Sequence, residues 1–213
     1  MTLVDAGLWC GIGEGDFAGR PALFLDRDGV VVVDTNYLGR VEDLQMIAGS
    51  AEAIARCNIS GIPVVLVTNQ SGIGRGYYDW EGFQAVQGAL SSELARGGAH
   101  LDAVLACAYH RDGNDPLRVD NHPWRKPNPG MIVTAAERMG LDLPRSWIVG
   151  DNVHDLAAGR GAGLAGGTLL TASSHDRQEA LALAGARFSV DVAFNLAGAV
   201  DKLLEQGLLG TRQ

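Results

Sequence analysis

From Ala22 onward, short unbroken apolar runs alternate with stretches whose apolar residues recur every three or four positions. The unbroken runs predict buried strands over Ala22–Asp26, Pro63–Thr68, Asp102–Tyr109, Trp147–Gly150 and Thr168–Leu170, with a last short strand over Phe188–Val190. The periodic stretches predict helices over Ser50–Ser60, from Asp79 to about Arg96, and over Met131–Met139, Asp155–Ala162, Ser174–Ala184 and Val192–Glu205. Punctuation supports these elements. Gly61 and Gly140 stand where helices end, Gly97-Gly98 stops the longest one, Asp79 is an N-cap residue and Pro129 suits a helix start. Alternating helices and continuously apolar strands predict an α/β fold, a three-layer α/β/α sandwich on a mainly parallel sheet of five or six strands. Such sheets take ligands beyond the carboxyl ends of their strands, at a topological switch point. At or just past those ends stand Asp26, Thr68, His110 and Asp151.

Length and composition narrow the classes. A chain of 213 residues predicts one domain, here over residues 21–206. Residues 1–20 are Gly-rich and acidic and predict a loosely ordered extension, and residues 207–213 a fraying tail. Three cysteines without a CxxC pair predict no disulfide framework and a reducing, cytoplasmic setting. No apolar run approaches the ~18 residues of a membrane span, and no secretory signal pattern opens the chain. A net charge of −8 argues against nucleic acid or anionic membranes as partners, but not against a small anion met by a local positive site. The 29 glycines, about twice ordinary usage, follow no collagen period and predict tight turns and close backbone approaches.

Four segments carry candidate chemistry. In Asp26-Arg27-Asp28-Gly29, two acids leave one strand two positions apart, which favours a hard divalent cation between them. Thr68-Asn69-Gln70-Ser71-Gly72-Ile73-Gly74 offers a hydroxyl, amides and backbone N–H groups that could cradle a phosphate. Arg125-Lys126 places two cations before a Pro-x-Pro turn. In Gly150-Asp151-Asn152-Val153-His154-Asp155 a buried strand again ends in an acid. Asp155, four residues on, is open to a role as ligand, orienter or helix-start acid.

Taken in order, each at a strand end, these segments resemble the haloacid dehalogenase (HAD) superfamily of phosphotransferases over about Ala22–Ala172. DRDGV, TNQSGIGRG, RKPNPGM and GDNVHD are similar to its subgroup of sugar-bisphosphate and histidinol phosphatases. The resemblance implies a Mg²⁺-dependent phosphomonoesterase working through an aspartyl-phosphate. It implies Asp26 as nucleophile and Asp28 as acid–base, with the pKa of Asp28 raised by acidic surroundings. Mg²⁺ is then held by Asp26, the Asp28 main chain and Asp151. Thr68 and Lys126 are implied to hold the phosphoryl group, with Arg125 as a further positive group. Arg27, Asp34, Thr35, Asn36, Tyr37, Asn69, Gln70, Ser71 and Asn152 are implied to contact substrate. The implied partner is a small phosphorylated sugar, a heptose bisphosphate foremost, met by a monomer. Histidinol phosphate, a nucleotide or a broad substrate range are alternatives, and a degenerate binding module is the non-enzymatic one.

The spacing of 42 positions between Asp26 and Thr68 leaves no room for a large cap domain, so the loops Asp34–Val41 and His110–Arg125 are expected to border an open site. One departure from the subgroup stands out. Its zinc loop carries four Cys or His ligands, whereas this chain has Cys107-Ala108-Tyr109 and His122-Pro123-Trp124 in the corresponding places. A structural zinc site needs four such ligands, so zinc is not expected, and Tyr109 and Trp124 are expected to pack the loop instead.

Overall fold

The computed structural model describes residues 2–209. One sheet of eight strands organises them: β1 (Thr2–Asp5), β2 (Leu8–Ile12), β3 (Leu23–Leu25), β4 (Val64–Asn69), β5 (Ala103–Cys107), β6 (Trp147–Gly150), β7 (Gly166–Leu170) and β8 (Ser189–Ala193). The spatial order is β1-β2-β5-β4-β3-β6-β7-β8. β3 to β8 pair in parallel, while β2 runs antiparallel to both β1 and β5. From β3 the chain lays down β4 and β5 on one side, then returns to place β6, β7 and β8 on the other. The switch point is therefore the crevice above β3 and β6.

The helices are α1 (Ser50–Ile59), α2 (Ser71–Gly74), α3 (Trp80–Arg96), α4 (Gly130–Met139), α5 (Val153–Ala162), α6 (Ser174–Leu181) and α7 (Leu196–Glu205). The two-residue period of the strands sorts them into layers. Leu23 and Leu25 of β3, with Leu66 and Val149, face α1, α3 and α7 through Ile54, Phe83, Leu90 and Leu203. Phe24, with Val65, Val67 and Ile148, faces α4, α5 and α6 through Met131, Ala135, Leu156 and Ala180. The α/β/α sandwich expected from the sequence is thus present.

The extension expected to be loosely ordered is a β-hairpin. Gly7 N–H closes its turn on Asp5 Oδ1 at 2.8 Å, and β2 pairs with β5 from Leu8↔Cys107 to Ile12↔Ala103. With the hairpin the sheet has eight strands rather than the expected five or six. Trp9 stacks on Trp80, with centroids 5.9 Å apart, and meets Phe83 edge-on. The stretch Val192–Glu205, expected to be one helix, splits. Residues to Ala193 extend β8, and Asn195 caps α7 by accepting from Gly198 N–H. Leu209 of the expected tail is buried in the core, and residues 210–213 lie outside the described residues. Among the described residues no helix is long and apolar enough to cross a membrane.

Candidate active site

Above the switch point lies a cavity of about 330 Å³, bordered by loops and without a cap domain. Asp26, directly after β3, and Asp151, directly after β6, stand on its floor. Gly29 makes their approach possible. Its φ of +75° suits glycine, and a Cβ there would lie 2.0 Å from Asp151 Oδ2.

Lys126 organises the floor. It is almost fully buried, and its Nζ lies 2.9 Å from Asp26 Oδ1 and 2.6 Å from Asp155 Oδ1, and donates to Val67 O at 2.9 Å. Burial alone would depress the ammonium's pKa, but Asp155 and Asp26 outweigh it and raise it. The Lys126 loop is tied to the end of β4 by Asn69, whose amide donates to Lys126 O at 3.0 Å and accepts from Lys126 N–H at 3.1 Å. Asp155 is buried, and both its oxygens have protein partners. Oδ1 meets Lys126, and Oδ2 accepts from Asn152 N–H at 3.1 Å in a capping box that opens α5. Burial pushes the Asp155 carboxyl up, and the Lys126 ammonium opposes it.

Asp26 Oδ1 also accepts from Arg27 N–H at 2.7 Å, while Oδ2 has no hydrogen-bond partner among the described residues. Asp26, Asp151 and Asp155 offer carboxylate oxygens within 4.8 Å of one another. Burial first, then Asp26 and Asp155, push the Asp151 carboxyl up to about 7. An all-oxygen donor set with a carboxylate that resists ionisation beside its neighbours fits a hard divalent cation. Asp155, already engaged by Lys126 and a backbone N–H, orients this group, which leaves Asp26 and Asp151 as the carboxylates open to a cation.

Asp28 also lines the cavity, its pKa raised. The largest cause is burial. The acidic surroundings expected to raise it contribute only through Asp26, and Arg27 opposes both.

Of the residues expected at the site, Asp26, Arg27, Asp28, Asp34, Asn36, Tyr37, Asn69, Gln70, Ser71, Arg125, Lys126, Asp151 and Asn152 line this one cavity. Thr68 lies just beneath it, buried, its Oγ1 accepting from Gln70 Nε2 at 2.7 Å. Thr35 is exposed and does not line it. Leu38 of the expected bordering loop, Gly72 of the expected phosphate-cradling segment and Asp155 also line it, and Tyr78 and His154 complete the wall without having been expected there. Of the latter two, His154 carried a signal in the sequence, as it falls inside GDNVHD, and Tyr78 did not.

The loop carrying Asp34–Tyr37 turns through left-handed residues Asn36 (φ 54°) and Tyr37 (φ 80°). Tyr37 packs against Tyr77, and its hydroxyl accepts from Arg75 Nη1 at 3.1 Å. Arg75 Nη2 also lies 3.3 Å from His110 Nε2 and 3.4 Å from Asp112, so one side chain joins the two bordering loops. His110 and Arg111 line an adjoining hollow of about 310 Å³ that shares Arg125, Lys126 and His154 with the cavity. In the place of the subgroup's zinc loop, Tyr109 stacks on His122 with centroids 4.2 Å apart, and Cys107 is buried in β5.

A family model for HAD-hydrolase-like proteins matches residues 123–198. The D-glycero-β-D-manno-heptose-1,7-bisphosphate 7-phosphatase of Mesorhizobium japonicum is 51% identical over 170 residues, covering 79% of this chain and 78% of that protein. A crystal structure described as a HAD-like phosphatase from Mesorhizobium loti superposes with a TM-score of 0.88 at 42% identity, covering 99% of this chain and 98% of the other. The D,D-heptose 1,7-bisphosphate phosphatase of B. bronchiseptica, crystallised with magnesium and phosphate, has a TM-score of 0.75 at 33% identity, covering 88% of this chain and 99% of the other. The chain belongs to the HAD phosphatases, in the family of the heptose-1,7-bisphosphate 7-phosphatases.

Proposed function

We propose that this protein removes the 7-phosphate from D-glycero-β-D-manno-heptose 1,7-bisphosphate, through an aspartyl-phosphate on Asp26. The observation that carries this is the placing of Asp26 at the switch point, with one oxygen held by Lys126 and Arg27 N–H and the other free of partners among the described residues. The Asp26 carboxylate attacks phosphorus, and the bond to the sugar oxygen breaks as Asp28 gives that oxygen a proton. Asp28, now ionised, takes a proton from water. The water oxygen attacks phosphorus, the bond to Asp26 breaks, and inorganic phosphate leaves. The Lys126 ammonium, which holds Asp26 in place, also brings positive charge toward the phosphoryl oxygens. Asp26, Asp151 and the Asp28 main chain would hold Mg²⁺, which supplies further charge neutralisation when bound.

Support for a bisphosphate comes from the cations beside the cavity. Arg125, Arg111 and Arg75 crowd one another around His110. The Arg125 pKa is lowered, mainly by burial and also by its two arginine neighbours. A second phosphate there would relieve that repulsion. The three cysteines are unpaired and buried, as suits a cytoplasmic enzyme.

A panel of phosphorylated sugars, nucleotides and histidinol phosphate tests the proposal. Heptose bisphosphate should give the highest kcat/KM, and Asp26→Asn should abolish turnover of every member. Equal rates on mono- and bisphosphates would remove the substrate assignment.

A further inference from the structure

Arg27 stands between the two catalytic acids and has no step of its own in this mechanism. Its side chain is fully buried, and a buried cation is costly unless it is paired. Among the described residues its ion pairing goes to Asp28. Nε lies 3.2 and 3.3 Å from the two Asp28 oxygens, and Nη2 lies 3.1 Å from Oδ2. Nη2 also donates to Gln70 Oε1 at 3.1 Å, with Leu38 O at 3.5 Å. Gln70 is buried too, and its Nε2 approaches Asp28 Oδ2 at 3.3 Å while its Oε1 accepts from the Tyr78 hydroxyl. The guanidinium carbon rests 5.6 Å from the Phe83 ring centroid. The remaining nitrogen, Nη1, is buried and has no partner among the described residues, so it does not reach the cavity. Asp28 is thus gripped by buried groups while 24% of its side chain stays open.

We propose that Arg27, backed by Gln70 and Tyr78, is a positioning residue that aims the Asp28 carboxyl group at the leaving oxygen and does not itself bind the phosphoryl group. The proposal rests on the phosphatase function above. It separates from substrate binding in a simple way. Every phosphomonoester presents the same phosphoryl group, so a phosphate-binding residue matters equally to all of them. A residue that aims the acid matters only where the departing oxygen needs a proton. A sugar alkoxide needs one, and p-nitrophenolate leaves without it.

The test compares kcat/KM, which covers the steps through departure of the alcohol, for heptose 1,7-bisphosphate and p-nitrophenyl phosphate. Arg27→Met should lower the first about 100-fold, the low end of what general acid catalysis contributes, and the second less than about threefold. Tyr78→Phe removes one hydroxyl from the outer end of the network, so it provides the test if Arg27→Met does not fold. It should show the same selectivity, with a loss of about fivefold on the sugar substrate. Equal losses on both substrates, or no loss, in whichever variant folds would overturn the proposal. Turnover of either substrate by Asp26→Asn would instead overturn Asp26 as the nucleophile, and failure of the unaltered enzyme to hydrolyse either substrate would overturn the phosphatase function itself, which distinguishes these failures from that of the proposal.

Discussion

Asp151 holds its proton more tightly than a free carboxyl, and this has a consequence for stability. Its pKa in the folded chain is pushed up to about 7 from an ordinary value of 3.8 by burial and by Asp26 and Asp155. Between those values the folded chain binds a proton that the unfolded chain has lost, so this group's contribution to stability falls as pH rises from about 4 to about 7. The side chain opens to solvent in the cleft, which moderates the effect. A cation beside the carboxylate reverses it. Mg²⁺ should therefore raise the melting temperature more at pH 8 than at pH 5, where it competes with the proton. A rise independent of pH would show that Asp151 is not a ligand. That an acid stands here was legible in GDNVHD. That Asp155 orients the site rather than opening to a cation was not, because both its oxygens are claimed by contacts that the fold supplies, from Lys126 and from the Asn152 N–H.

The segments that carry the site are fixed to one another as much as to the sheet. β4 and the loop before α4 are joined through the two hydrogen bonds between Asn69 and the Lys126 main chain. Asn69→Ala should lower stability by about 1–3 kcal/mol, the usual result of leaving buried partners unsatisfied, and lower kcat/KM as Lys126 loses its fixed place. Urea unfolding and steady-state kinetics would measure the two effects. An active variant of unchanged stability would refute the tie. The strands and most helices were legible because their apolar periodicity is uninterrupted and glycines mark their ends. α3 begins after Asp79, which accepts from Gly82 N–H as an N-cap residue does, and α4 ends on left-handed Gly140. The short α2 was not legible, since Ser71-Gly72-Ile73-Gly74 has the composition of a loop and is helical only where it follows β4 at the cavity wall.

The N-terminal hairpin changes the molecule as a whole, for it closes the edge that β5 would otherwise expose. Its strands are short, and glycines at 7, 11, 13 and 15 mask the apolar run that Leu8-Trp9-Cys10 begins. The Asp-Ala-Gly turn between two β-prone runs was the signal available in the sequence. Trp9 docks the hairpin on α3 and is almost fully buried. Trp9→Ala should cost about 3–5 kcal/mol, read as a lower denaturation midpoint. A change below about 1 kcal/mol would mean that the hairpin is held by its strand pairing alone.

The sheet, its switch point and the carboxylates around it converge on one claim, that Asp26 carries the phosphoryl group during turnover. Acid quenching during turnover, followed by borohydride reduction, converts an aspartyl-phosphate to homoserine, and peptide mass spectrometry locates it. The modification should occur at position 26 in the active enzyme and require substrate. Its absence while product forms, or its appearance at another residue, would contradict the account.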